Sequence, residues 1–169
     1  VDGGKKLMVL RGHADMVRSV SCSNDGALIT SSSNDKSMRL WDANTGAEIW
    51  KYDGHGGWVS SVTFNNNGTR IATSCGGDGS LSIFSVQERR LLHEVKAHEY
   101  AWCCAFSGDS RLIASGGGAG DLILFDADTF AEVRRIEHTS KPYINSVTFD
   151  PSSRYIATGT EEPGFVHVF

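Results

Sequence analysis

Apolar and polar positions alternate along this chain in short runs, and the runs recur. Met38 and Leu40, Leu81 and Ile83, Leu122 and Leu124, and Val166 and Val168 each stand two apart in a stretch that closes on an aromatic: Trp41, Phe84, Phe125 and Phe169. A period of two is that of a β-strand, whose successive side chains point to opposite faces. Upstream of each closing stretch (SMRLW, SLSIF, DLILF, FVHVF) lies an apolar stretch that runs into small residues: ALITSSS, RIATSC, RLIASGG and RYIATGT. Before that comes a turn (SNDG, NNNG, SGDS, DPSS), preceded by a β-rich run (VRSVSC, VSSVTF, AWCCAF, INSVTF). A further strand per unit is read from residues 5–10, 47–52, 91–95 and 131–136. No stretch has the periodicity of an amphipathic helix.

The order of events is the same four times. His13, His55, His98 and His138 open the units at intervals of 42, 43 and 40 residues, and the closing aromatics follow at intervals of 43, 41 and 44. Self-similarity at this period is the mark of an array of supersecondary units. The chain therefore reads as one all-β domain, 1–169, of four repeat units: 5–46, 47–90, 91–130 and 131–169.

Composition narrows the function. With 16 Lys+Arg against 20 Asp+Glu the net charge is −4, and the basic residues do not cluster, which argues against a general polyanion binder. No apolar run approaches the ~18 residues of a membrane span, and no signal-peptide anatomy is present. Four cysteines (Cys22, Cys75, Cys103, Cys104) form no C-x-x-C pair. They read as reduced, buried thiols and not as zinc ligands, which fits a cytoplasmic or nuclear setting. Gly116-Gly117-Gly118 lacks the following Lys-Ser/Thr and helix of a phosphate loop and reads as a strand connection. The chain opens on Val1 and stops at Phe169, which favours a processed or partial product.

His13, Ser31, Asp35 and Trp41 resemble a nucleophilic triad at first sight, and His55, Ser74, Asp78 and Phe84 repeat the set. The repetition argues against catalysis, because a nucleophile needs one activated site. With Gly12-His13, Asn34-Asp35-Lys36-Ser37 and Leu40-Trp41-Asp42 in unit one, Gly54-His55 and Asp78 in unit two, His98 and Phe125-Asp126 in unit three, the chain resembles the WD40-repeat family over practically its whole length. The resemblance implies a β-propeller of four-stranded antiparallel blades. It also implies that each repeat supplies the outer strand of one blade and the inner three of the next, so that residues 5–10 are expected to complete the last blade. In that family the matching residues form a structural network of Asp, His, hydroxyl and indole. Here it would comprise His13, Ser31, Asp35, Trp41, His55, Ser74, Asp78, His98, Ser115, His138 and Thr158.

Positions that differ between units are the candidates for recognition. Met16, Trp58, Tyr100 and Tyr143 form one equivalent set, and Arg18, Ser60, Trp102 and Asn145 another, both at the start of the innermost strand. Aromatics with Met and Arg have the composition of a protein-binding hot spot; the alternative is that they fill gaps between blades. The expected function is a non-enzymatic scaffold that binds proteins or peptides through face loops, with no cofactor, metal or small-molecule substrate. Two alternatives belong to other classes. One is a propeller enzyme using Asp15, Glu99, Glu161 or Glu162 at the channel mouth; the other is nucleic-acid stacking on Arg18, Trp58, Tyr100 and Trp102. Ring size stays open: a closed four-bladed unit, two chains joined as eight blades, or part of a longer propeller.

Overall fold

The computed structural model describes residues 4–137, 141–161 and 164–169. These residues form fifteen strands in four antiparallel sheets and no helix. Blade one is β1 (Val17–Cys22), β2 (Leu28–Ser33), β3 (Met38–Asp42) and β4 (Glu48–Tyr52), paired in chain order. Blade two is β5 (Val59–Phe64), β6 (Arg70–Cys75), β7 (Ser80–Ser85) and β8 (Arg90–Lys96). Blade three is β9 (Ala101–Phe106), β10 (Leu112–Gly117), β11 (Asp121–Asp126) and β12 (Glu132–Glu137). Blade four has three strands, β13 (Ile144–Phe149), β14 (Ile156–Thr160) and β15 (Val166–Val168).

Consecutive pairing within each blade follows from short connections, which antiparallel neighbours allow. The turns between the first two strands carry a left-handed residue at the same place in each blade: Gly26, Gly68, Ser110 and Ser153, with φ of 71°, 69°, 62° and 60°. Glycine takes that conformation without steric cost. In blades three and four the serines have a compensating partner. Ser110 Oγ accepts the N–H of Asn66 at 3.0 Å, and Ser153 Oγ accepts the N–H of Asp109 at 3.0 Å, each from the preceding blade.

The core lies between blades. Alternate residues of the third strands of blades one to three enter the face of the next blade. Met38 and Leu40 meet Val62, Phe64, Ile71 and Phe84. Leu81 and Ile83 meet Cys104, Phe106, Ile113 and Phe125, and Leu122 and Leu124 meet Ile144, Val147 and Ile156. Adjacent Cys103 and Cys104 fall on opposite faces of β9, so one packs toward blade four and the other toward blade two. The inner strands follow one another around the array, β1 on β5, β5 on β9 and β9 on β13; no comparable packing joins β13 to β1.

Three expectations are corrected. Residues 5–10 form no strand, and the last blade has no fourth strand among the described residues. The segment lies instead against blade one, with Met8 Sδ and Leu10 Cδ2 about 3.1 and 3.2 Å from where a side chain on Gly46 would begin. The apolar alternation of 5–10 does not by itself make a strand, because a strand needs a hydrogen-bonded neighbour. Cys22 is exposed, whereas Cys75, Cys103 and Cys104 are buried; all four are free. Gly116 and Gly117 belong to β10 and are not loop residues. A side chain at Gly117 would collide with the His98 ring, so the close approach explains the glycine.

Candidate functional site

Each blade carries a histidine ahead of its inner strand. In blade one, His13 Nδ1 lies 2.9 Å from Asp35 Oδ2, and its Nε2 lies 2.8 Å from Ser31 Oγ. Ser31 Oγ also accepts the indole N–H of Trp41 at 2.8 Å. Asp35 further accepts the Ala14 N–H and the Ser37 hydroxyl. Burial would raise the Asp35 pKa, but hydrogen bonds from Ser37, Ala14 and His13 outweigh it and hold the carboxyl well below the usual range. The four side chains thus tie the loop before β1 to β2 and β3.

Blade three repeats the core of this arrangement. His98 Nδ1 lies 2.9 Å from Asp121 Oδ1, and Nε2 lies 3.1 Å from Ser115 Oγ. The Arg135 guanidinium on the outer strand donates to the second Asp121 oxygen. Phe125 replaces the indole and offers no donor. Burial lowers the His98 pKa, with Asp121 opposing.

Blade two departs from expectation. The hydroxyl on His55 Nε2 is Thr73, at 3.0 Å, and not Ser74. Asp78 does not meet the ring. It accepts the Gly56 and Ser80 N–H groups instead, and His55 Nδ1 faces the Lys36 carbonyl of blade one at 3.3 Å. The physical reason is register. Ile29, Ile71 and Ile113 face Trp41, Phe84 and Phe125 across their sheets. The residue two further on is Ser31, Thr73 or Ser115, and a shift of one puts Ser74 on the opposite face. The same count gives Thr158, which is buried beside Ile156 in β14. His138 and Glu162 lie outside the described residues.

The recognition candidates occupy equivalent places in the four blades. Met16, Trp58, Tyr100 and Tyr143 each stand just before an inner strand. Their carbonyls accept the N–H groups of Asn34, Gly76, Gly118 and Glu161, the equivalent bond in all four blades. Met16, Tyr100 and Tyr143 are 60%, 40% and 48% exposed. Trp58 is half-buried, with its indole nitrogen over Gly76. Trp102 is half-buried and stacks on Tyr100 with ring centroids 6.5 Å apart. Gly118 sits beneath that pair. Arg18 is exposed, its Nε donating to Asn34 Oδ1 at 2.6 Å, and Asn145 is exposed. Thus Trp58 and Trp102 partly fill gaps, while Met16, Arg18, Tyr100, Tyr143 and Asn145 face solvent. His93, on β8, stacks on Phe130 at 4.7 Å. Among the described residues no group of three or more His, Cys, Asp or Glu is placed to hold a metal. Among the same residues no helix is long and apolar enough to cross a membrane.

The profile of the WD domain, G-beta repeat (WD40), matches residues 4–42, 46–85, 89–126 and 131–168; the last three matches each join the outer strand of one blade to the inner three of the next. The chain belongs to the WD40-repeat family. It is 32% identical over 202 aligned positions to a cross-pathway control WD-repeat protein 2 from Flammulina velutipes, covering 93% of this chain and 64% of the relative. It is 27% identical over 157 positions to a guanine nucleotide-binding protein G(I)/G(S)/G(T) subunit beta-1 from Homarus americanus, covering 89% of this chain and 45% of the relative. The chain therefore spans about half to two thirds of the length of these relatives.

Proposed function

We propose that this WD40 array is a non-enzymatic scaffold that binds a protein or peptide on the rim formed by Met16, Arg18, Tyr100, Trp102, Tyr143 and Asn145. The observation that carries this reading is the equivalence of four rim positions on fixed backbone bonds, three of them exposing a large side chain. A rigid sheet beneath and different aromatic side chains on top suit selective burial of a partner's side chains. The histidine networks are built into every blade that shows them, which fits support of the loops and not chemistry. The G-beta subunit among the relatives supports a protein partner. Reduced thiols fit a cytoplasmic or nuclear location.

The test pans a displayed random-peptide library on the purified protein and titrates the selected peptides by calorimetry. Tyr100→Ala and Tyr143→Ala are expected to weaken binding by about tenfold or more. Arg90→Ala, on an outer strand, is expected to leave it unchanged. Peptides whose affinity ignores both tyrosines would overturn the rim as the site.

A further inference from the structure

Two indole nitrogens, Trp58 Nε1 in blade two and Trp102 Nε1 in blade three, are covered and have no hydrogen-bond partner. A covered donor without an acceptor is costly, and a native chain seldom keeps one without a use. Ser32, Ser74 and Thr158 also hold an unpaired polar atom, but they are at most 1% exposed and lie within the sheets. The guanidinium of Arg39, whose Nε is unpaired, is held by Glu48 through another nitrogen. The two tryptophans differ from these because both side chains are half-buried, so part of each ring reaches solvent.

Both indoles rest on glycine, and they reach it from different places in their units. A side chain on Gly76 would collide with Trp58 Nε1, and one on Gly118 would begin 3.5 Å from Trp102 Nε1. Gly76 and Gly118 are equivalent, their N–H groups bonding to the Trp58 and Tyr100 carbonyls at 2.9 Å. The same place in blades one and four holds Asn34 and Glu161, and Arg18 donates to Asn34. Blades two and three are also joined at this level, since Ser60 Oγ donates to the Ala101 carbonyl at 2.6 Å. That bond lies two residues from Trp58 and one from Trp102, so the two strand starts stand side by side. Tyr100, 40% exposed, stacks on Trp102 with an angle of 26° between the rings.

The charges around this pair select among ligands. Residues 54–58, 76–79, 97–100 and 118–120 include Asp78 and Glu99 and no lysine or arginine. An anionic ligand would be repelled. An ammonium group would be attracted, but it carries donors only and leaves both indoles unpaired. A neutral carbonyl satisfies them without meeting the acidic charges. A proline-rich segment supplies such carbonyls in the form that suits this surface. In the polyproline II conformation its carbonyls make no internal hydrogen bonds, and its prolines bring no N–H that would itself need a partner. Pyrrolidine rings pack on exposed aromatic rings.

We propose that Trp58 and Trp102 donate to the carbonyls of a proline-rich segment whose rings lie on Tyr100. The inference rests on the reading of these loops as a peptide site, and names the class of peptide. Both nitrogens are covered in the unbound protein, so each indole turns outward as the segment docks.

The probe is acetyl-decaproline amide, titrated by calorimetry into the full 169-residue chain beside a Gly-Ser peptide and a polyglutamate peptide of equal length. Decaproline is expected to bind at least about tenfold more tightly than either. In nitrogen–proton correlation spectra the indole signals of Trp58 and Trp102 should move downfield as it is added. Those of Trp41, already bonded to Ser31, and Trp50 should stay in place. Trp58→Phe and Trp102→Phe each keep a ring and remove one N–H, which assigns the two signals. Each should weaken decaproline by about fivefold with circular dichroism unchanged, and Arg90→Ala should not weaken it. Decaproline that fails to bind, binds no better than the other two peptides, or binds without moving either indole signal overturns the inference. If library-selected peptides still depend on Tyr100 and Tyr143 in that case, the peptide site stands and only the proline class falls. If they do not, both readings fall.

Discussion

The histidine of blade one sits in the most complete of the networks, because only there does an indole donate to the shared hydroxyl. Trp41→Phe removes that one bond while keeping an aromatic at a place where Phe84 and Phe125 already serve. Ser31 stays bonded to His13, so the loss should be about 0.5–1 kcal/mol, read as a lowered urea midpoint with unchanged slope. The buried histidines also set a pH dependence. His55 and His98 have pKa values below the ordinary 6.5, in each case chiefly through burial. Below about 6.5 the unfolded chain binds protons that the folded chain resists, so this stability is complete above 6.5 and is lost as pH falls through the folded values. The melting temperature should fall between pH 7 and 5, and His98→Gln should flatten that fall. Asp35, held low, adds its own loss only at more acid pH. Cys103, pushed up to about 12 by burial, stays a thiol throughout.

At the level of the strand and turn, what the residues prefer and what the array requires coincide at most positions. Apolar residues two apart made the third strands legible, and turn residues marked their ends. The β7 turn shows why one glycine cannot be exchanged. Gly79 has φ of 76°, and a side chain there would begin 2.0 Å from the His98 carbonyl oxygen of the next blade. Gly79→Ala should therefore cost at least about 2 kcal/mol, from left-handed strain together with a backbone collision. Thermal unfolding checks it, and a loss below 0.5 kcal/mol would contradict the packing described. Element by element, the errors of sequence reading also have causes. Ser74 and Thr73 are adjacent hydroxyls, and only the pairing of Ile71 with Phe84 decides which one faces His55. The Lys36 carbonyl that meets His55 is a backbone group on another blade and leaves no mark in the sequence. Residues 5–10 carry a strand's alternation, but strand formation depends on a distant partner that local pattern does not contain.

Across the whole molecule, the repeat, the all-β class, the four units and the residues around His13 were determined by the sequence alone. That is because each unit writes the same local requirements: alternation for strands, Gly, Asn or Asp for turns, and a histidine some 17 to 20 residues ahead of a hydroxyl. The rim set was also legible, since equivalent positions in a repeat share one backbone environment. The tertiary structure alone decided which rim side chains reach solvent, since Trp102 turns inward to stack under Tyr100 while Tyr143 stays outside. It alone decided that Arg135 joins His98 and Asp121 across two strands. It alone showed that Val166, Val168 and Val20, which read as ordinary core positions of their units, stand exposed at the two ends of the array. The reason is common to all three: the repeat fixes what each blade offers, but burial depends on which blade stands beside it, and that is a property of the assembled array.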